Sequence, residues 1–250
     1  GIIVRIRGFG GGLASRSIIQ DIRAELVRAK ERGKKIVVYL DHGADANEYY
    51  LAAVGDMVVA PEAAAFGPFG TSYAAQRLKG LLDKVGVEMQ VFAKGKYKAS
   101  TNPYSSGYTP EQKEEMTSVV DSLHRQMVED IAKDRKMDMA KWKVYTDGRL
   151  FSLPTAKSLN MVTNVGYYDD ALVLAAKQHG HEGKVKIIPP DLIEDIWGED
   201  YVVAYLPRIA VIEIDGEIVT GHGGDDILFG GRAVGADDIT AQIDQATNDP

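Results

Sequence analysis

The sequence predicts an α/β protein with a mostly parallel β-sheet, and two observations carry this prediction. Short apolar runs such as 1–6 and 36–40 have the length and composition of strands buried in a parallel sheet. Segments with the helical spacing of apolar residues follow these runs, as in 17–32. Strands that alternate with helices form βαβ units, and the strands of such units run parallel.

The elements before residue 95 are bounded by capping and turn residues. Ser17 is expected to cap the start of the first helix, and Gly33 is expected to end that helix. Residues 61–72 are small and rich in glycine, which predicts a turn or a binding loop. In chain order, the predicted elements are a strand at 1–6, a helix at 17–32, a strand at 36–40, a helix at 46–53, a strand at 56–60, a helix at 73–85 and a strand at 88–93.

The later elements have equally local signals. Residues 109–112, Thr-Pro-Glu-Gln, form a capping-box pattern with proline at the first helical position, which predicts a long helix behind them. Residues 185–207 combine prolines with acidic side chains, and this composition predicts a linker. A strand is predicted at 209–214, and Asp237 or Asp238 caps a last helix.

Composition and charge narrow the classes of function. The 250 residues carry a formal net charge of −7, which argues against non-specific binding to nucleic acid or to an anionic bilayer. The absence of cysteine excludes disulfides, thiol catalysis and thiolate metal sites, and the histidines lack metal-ligand spacing. No apolar run approaches the ~20 residues of a membrane span. Because the chain begins with Gly1 and shows no signal peptide, we expect a fragment or a processed form.

Residues 91–104, Val-Phe-Ala-Lys-Gly-Lys-Tyr-Lys-Ala-Ser-Thr-Asn-Pro-Tyr, are the most informative stretch. Lys98 follows a strand-like run and precedes a loop of small residues. A lysine acts as a general base near pH 7 only if burial lowers its pKa by several units from about 10.4. The residue types alone favour a solvated basic edge that discourages strand pairing. On these residues both interpretations stay open.

The Lys98 segment resembles the one that carries the catalytic lysine in the signal peptide peptidase A (protease IV) family. The shared pattern is Tyr-Lys, then a small residue, with Pro-aromatic five residues after the lysine. The order of four segments, 1–12, 82–104, 148–165 and 209–250, is similar to the same family. The resemblance implies a crotonase-like (ClpP-like) fold of repeated ββα units with a mostly parallel sheet.

The resemblance also implies a division of the chain into three parts. Residues 1–185 are expected to form a crotonase-like domain that carries the general-base lysine. Residues 186–208 are expected to be a linker. Residues 209–250 are expected to be the truncated start of a second, homologous domain.

The turn after the first strand departs from the catalytic version of the family's sequence. That version reads Ser-Pro-Gly-Gly-Ser, and its last serine is the nucleophile. Here residues 8–12 read Gly-Phe-Gly-Gly-Gly, so Gly12 stands in the nucleophile's place without a hydroxyl. We therefore expect the nucleophile just past Pro250, in the second half, and we expect this chain alone to be inactive.

By resemblance, the function is that of a serine endopeptidase of Ser/Lys dyad type that degrades residual signal peptides or other apolar peptides. Lys98 would take the nucleophile's proton and later deliver it to the leaving amine. The family's hydroxyl residue directly after the lysine is replaced by Ala99, with Ser100 one position further.

The expected partners are peptide substrates, the protein's own C-terminal half and further copies in an oligomer. No cofactor, metal ion or nucleic acid is expected. The expected location is the extracytoplasmic face of the cell membrane, with membrane association through a segment that is not in this chain.

Two alternatives remain open. An acyl-CoA hydratase or isomerase of the same fold would use backbone N–H pairs and an acid, for which Glu48 and Glu62 are candidates. A non-catalytic half would serve only assembly or substrate capture. Residues 10–12 lack the spacing of a dinucleotide or P-loop motif. Asp41 and His42 are adjacent on a predicted strand end and point to opposite faces, which argues against a Ser/His/Asp triad.

Overall fold

A computed structural model describes residues 1–9, 15–98, 102–178, 180–182, 209–225 and 232–248. Its strands are β1 (Ile2–Gly8), β2 (Ile36–Leu40), β3 (Gly43–Ala44), β4 (Met57–Ala60), β5 (Ala65–Phe66), β6 (Phe151–Ser152), β7 (Asn164–Val165), β8 (Ala210–Asp215), β9 (Glu217–Val219), β10 (Gly224–Asp225) and β11 (Arg232–Gly235). Its helices are α1 (Ser15–Glu31), α2 (Ala46–Ala52), α3 (Lys79–Lys84), α4 (Pro110–Arg135), α5 (Met139–Lys143), α6 (Leu153–Ser158), α7 (Tyr168–Gln178) and α8 (Ala236–Asn248).

The main sheet of the described part of the chain has five strands in the order β7-β4-β2-β1-β8. Every neighbouring pair in this sheet is parallel, and Ile2 pairs with Ile36 on one side and with Ala210 on the other. Two three-stranded sheets have the orders β10-β11-β9 and β3-β5-β6. The predicted α/β class with a mostly parallel sheet is therefore confirmed.

The core lies on both faces of the main sheet. On one face, Ile2 and Val4 of β1 pack in a buried cluster with apolar residues of α1, α2 and α4. On the other face, Ile3 and Val37 pack with Ala171 and neighbouring residues of α7. Burial on both faces explains why these strands are nearly continuous apolar runs rather than alternating ones.

The C-terminal elements β8 and α8 belong to the same sheet and core as the first part of the chain. β8 pairs along β1, and Ile243 of α8 is buried in the cluster that contains Ile19 of α1. The Arg32 guanidinium, just past α1, donates to the Asn248 side chain at 2.8 Å. The linker predicted at 186–208 lies outside the described residues. The strands before and after it, β1 and β8, pair in one sheet. That 209–250 begins a second homologous domain stays a prediction.

The capping box predicted at the start of the long helix is confirmed. The Thr109 hydroxyl accepts the backbone N–H of Gln112, and the Gln112 side chain accepts that of Thr109, which completes the capping box at the start of α4. Lys136 ends α4 in the left-handed conformation, with φ of 50°. Among the described residues, no helix is long and apolar enough to cross a bilayer.

Residues 71–108, which we call the arm, differ most from the prediction. The helix predicted at 73–85 is shorter and spans only Lys79–Lys84. The strand predicted at 88–93 is wrong, because it has no partner strand among the described residues. The sequence of this segment resembles a strand, but its apolar side chains are exposed to solvent, with Phe92 93% exposed.

Candidate active site

Lys98 lies on the arm and is exposed to solvent. It closes a tight turn in which its backbone N–H donates to the Gly95 carbonyl at 3.2 Å, and Gly95 has a φ of 109° that favours glycine. Among the described residues, no hydrogen bond or ion pair to Lys98 Nζ is found. The described part of this chain therefore does not supply the burial that a neutral lysine needs.

The neighbouring basic residue of the arm is solvated and only loosely paired. Lys96 Nζ lies 4.0 Å from the Glu111 carboxylate and 5.2 Å from the centre of the Tyr97 ring. Ala99 and Ser100, which follow Lys98, lie outside the described residues. The exposed and loosely paired lysines fit the interpretation of a solvated basic segment. The general-base role of Lys98 stays a prediction.

The glycine-rich turn begins at the carboxyl end of β1, where parallel α/β sheets usually place their sites. Gly8 has a φ of 134°, and the backbone N–H of Phe9 points to the Glu48 carboxylate at 3.0 Å. Residues 10–14, including Gly12, lie outside the described residues.

Glu48 is the buried acid at this edge, with 7% of its surface exposed. It comes from the first turn of α2, where Asp45 is the capping residue. Its Oε1 accepts the N–H of Phe9, and its Oε2 accepts the N–H of Asp45 at 2.8 Å. Burial raises the pKa of Glu48, and the two backbone N–H groups partly oppose that rise. Both carboxylate oxygens are thus held by the protein's own backbone.

His42 and Glu48 flank Gly8, since a Cβ built on Gly8 would lie 3.5 Å from an atom of each side chain. The Asp41 carboxylate is instead bound by the Arg5 guanidinium through two contacts of 2.9 Å. Asp41 and His42 lie in a bend between β2 and β3, so the strand geometry assumed for them does not apply. Glu62, the other candidate acid, is exposed.

Sequence reasoning missed the pair formed by His222 and Asp238. His222 Nδ1 lies 2.7 Å from one Asp238 oxygen, and the other accepts the Gly223 N–H at 2.8 Å. The hydrogen bond to Asp238 raises the pKa of His222. The available signal was an acid at the start of α8, 16 residues after a glycine-flanked histidine. In the described ranges, no three histidine, aspartate or glutamate residues form a metal-binding group.

Sequence reasoning also missed Arg77, which contacts the loop that follows Lys98. Its Nη1 donates to the Asn102 carbonyl and to the Ser105 hydroxyl, the latter at 2.7 Å. A lone arginine in an irregular segment carries no sequence signal of its own, because its partners are 25 and 28 residues away.

The model of the family described as Peptidase family S49 matches residues 28–182, more than half of the chain and including Lys98. A protein of Enterococcus faecium named for signal peptide peptidase SppA is 27% identical over 172 residues, which cover 69% of this chain and 49% of the relative. A protein of Arabidopsis thaliana named "Serine protease SPPA, chloroplastic" is 25% identical over 170 residues, which cover 68% of this chain and 25% of the relative.

A solved structure titled as a membrane-bound stomatin-specific protease covers 86% of this chain and 98% of its own, with 10% identity and a TM-score of 0.37. A TM-score this low carries no argument about fold or function. The chain spans about half the length of the Enterococcus relative. The family model, by contrast, runs from within α1 to residue 182, through β2, α2, β4, the arm and α7. On that match, the chain belongs to peptidase family S49.

Proposed function

We propose that this chain is the lysine-bearing part of a serine endopeptidase that cleaves residual signal peptides or other apolar peptides with a Ser/Lys dyad. Membership of peptidase family S49 supports peptide-bond hydrolysis, and Lys98 lies inside the matched residues. The observation that carries the proposal is the position of Lys98 on an arm whose apolar side chains are uncovered.

Lys98 is proposed as the general base, and this role requires a cover. An exposed ammonium is stabilised by water, so a lysine serves as a general base only where a second surface excludes that water. The same arm exposes 60% of Leu81, 64% of Val85 and 93% of Phe92. We propose that an apolar surface that docks on these side chains also covers Lys98. We assign this cover to the protein's second half or to another copy of the chain.

The proposed chemistry moves one proton through Lys98 in acylation and a second one in deacylation. Neutral Lys98 Nζ accepts the proton of the serine hydroxyl as Oγ attacks the carbonyl carbon of the peptide. The resulting ammonium donates this proton to the leaving amine as the C–N bond breaks, which leaves an acyl-enzyme. Lys98 then takes a proton from the water that attacks the ester, and it returns this proton to serine Oγ as the ester C–O bond breaks, which releases the acid and restores the enzyme. Backbone N–H groups next to the serine would hold the oxyanion.

The serine is proposed to come from the covering unit, because Gly12 stands in the family's nucleophile position. Ser105 and Ser106 are described serines that follow Lys98, and the Ser105 hydroxyl lies 3.2 Å from the Asn102 carbonyl and 3.1 Å from the Gly107 carbonyl. Those contacts hold Ser105 within its own loop and do not activate it.

The test is peptidase activity of the whole protein on a fluorogenic apolar peptide. Lys98→Ala is compared with Lys94→Ala, which removes an exposed lysine from the same arm. We expect Lys98→Ala to lower kcat by about 10²- to 10⁴-fold, the usual contribution of a general base, and Lys94→Ala to retain activity. Equal activity of the two variants would show that Lys98 is a bystander.

A serine-directed covalent probe tests the origin of the nucleophile. We expect no labelled serine within residues 1–250, and a labelled serine there would contradict the proposal. An assay with an enoyl thioester tests the hydratase alternative. Glu48 is a poor acid for that reaction, because both of its oxygens are occupied by backbone N–H groups.

A further inference from the structure

The guanidinium of Arg77 lies among groups of the loop that follows Lys98. Nη1 donates to the Asn102 carbonyl and to the Ser105 hydroxyl, and Cζ lies 3.8 Å from the centre of the Tyr108 ring. The next residue, Leu78, donates its backbone N–H to the Pro103 carbonyl at 2.8 Å. Residues 77–78 therefore hold one side of the loop 102–108 at several points.

This loop limits where Lys98 can lie. Asn102 is four residues after Lys98 in the sequence, and the turn closed by Gly95 and Lys98 is on the other side. Only residues 99–101 separate the fixed Asn102 from Lys98 in the sequence. Because a short segment has a limited reach, an anchor at Asn102 limits where the backbone of Lys98 can lie, which lowers the entropy lost when Lys98 is placed for reaction.

Stability of the core does not account for Arg77. No described residue of the arm belongs to either buried cluster of the protein. Arg77 Nε and Nη2 are also shielded from solvent without a hydrogen-bond partner among the described residues. Each buried N–H group without a partner lowers the free energy of unfolding, so an arginine with two of them needs a local role that explains it.

We propose that Arg77 is a positioning residue for Lys98, which it serves by fixing the loop that begins at Asn102. The inference rests on the proposed general-base role of Lys98. A residue that only positions the base changes the rate of the chemical step and leaves binding of the peptide unchanged. Arg77→Lys keeps a donor for the Asn102 carbonyl but loses the planar group over Tyr108.

The experiment measures kcat, KM and melting temperature of the whole protein with an apolar peptide. We expect Arg77→Ala to lower kcat by about 100-fold, as for a misplaced catalytic group, with KM and melting temperature unchanged. Arg77→Lys should recover part of kcat. The matched control is Arg149→Ala, since Arg149 also pairs with a polar group and lies near a tyrosine ring but is outside the arm.

Wild-type kcat in Arg77→Ala, an Arg77→Lys variant no better than Arg77→Ala, or a rise in KM at constant kcat would each overturn the proposal. A fall of melting temperature together with activity would assign Arg77 a structural role and also overturn it. Lys98→Ala is measured in parallel. If Lys98→Ala is inactive, such results reject only the role of Arg77, whereas an active Lys98→Ala variant rejects both proposals.

Discussion

Glu48 Oε1 accepts the backbone N–H of Phe9 at 3.0 Å, and this hydrogen bond joins the first turn of α2 to the end of β1. The other oxygen of Glu48 accepts the N–H of Asp45. One buried carboxylate thus satisfies two backbone donors that the glycine-rich turn and the helix start would otherwise leave unpaired. The Glu48 side chain therefore holds the end of β1 and the start of α2 together at this edge of the sheet.

Glu48→Gln should destabilise the chain by about 1–3 kcal/mol, because a glutamine amide offers one acceptor oxygen to two N–H donors and leaves one of them unpaired. Urea denaturation of the 250-residue chain measures the loss. Glu62→Gln is the matched control, since Glu62 is exposed. Equal midpoints for the two variants would contradict the double role of Glu48.

Gly43→Ala should destabilise the chain by more than the ~1–3 kcal/mol of backbone strain alone. Gly43 has a φ of 119°, and a Cβ there would lie 1.7 Å from the Ala65 carbonyl oxygen on the paired strand β5. Gly33→Ala, with a φ of 86° and open space around its Cβ, should cost only the backbone strain of about 1–3 kcal/mol. Melting temperatures of the two variants are compared. A Gly43→Ala chain that does not fold, when Gly33→Ala does fold, would agree with the prediction. Similar melting temperatures would disprove it.

His222 should titrate above its ordinary value of about 6.5, because the Asp238 carboxylate stabilises the imidazolium. Since the pKa of His222 is raised on folding, its stabilising contribution is complete below about pH 6.5 and is lost as the pH rises through the folded value. NMR titration of the ring measures this. Asp238→Asn should lower the pKa of His222, while Asp237→Asn should change it less. An unchanged titration in Asp238→Asn would disprove the pairing.

Phe92→Ser should leave the stability of the isolated chain within about 0.5 kcal/mol of wild type, as for an ordinary surface substitution. The reason is that 93% of Phe92 is exposed and no core contact is lost. The fully buried Phe69 is the contrast, and Phe69→Ala should cost about 3–5 kcal/mol. In the whole protein, Phe92→Ser should weaken docking on the arm and lower peptidase activity. A clear fall in melting temperature of the isolated chain would show that Phe92 serves folding instead.

Elements with local signals were predictable from the sequence. The capping box at Thr109 and the apolar runs of β1 and β2 need only neighbouring residues, and the structure has them where they are predicted. The two-residue strands β3 and β5 were not predicted, because two residues show no periodicity. The wrong strand at 88–93 has strand-like residues, but a strand also requires a partner, which no local pattern reveals.

The candidate site was predictable to a smaller extent. The resemblance identified Lys98 as a candidate, yet its burial depends on surfaces distant in the sequence. Glu48 was recognised only as an acid, because its contact with Phe9 crosses 39 residues. Arg77 was not recognised at all. The hydrogen-bond partners of Glu48 and Arg77 are set by the tertiary fold, so no local sequence pattern reveals them.

The parallel pairing of β1 with β8 has a consequence for synthesis. Arg5 and Glu213, which form an ion pair across these strands, are 208 residues apart in the chain. At ribosomal rates of about 5–20 residues per second, one side of β1 waits about 10–40 s for its partner. During that time an apolar strand edge is open to other nascent chains. Chaperone demand in the cell should therefore depend on how soon β8 emerges.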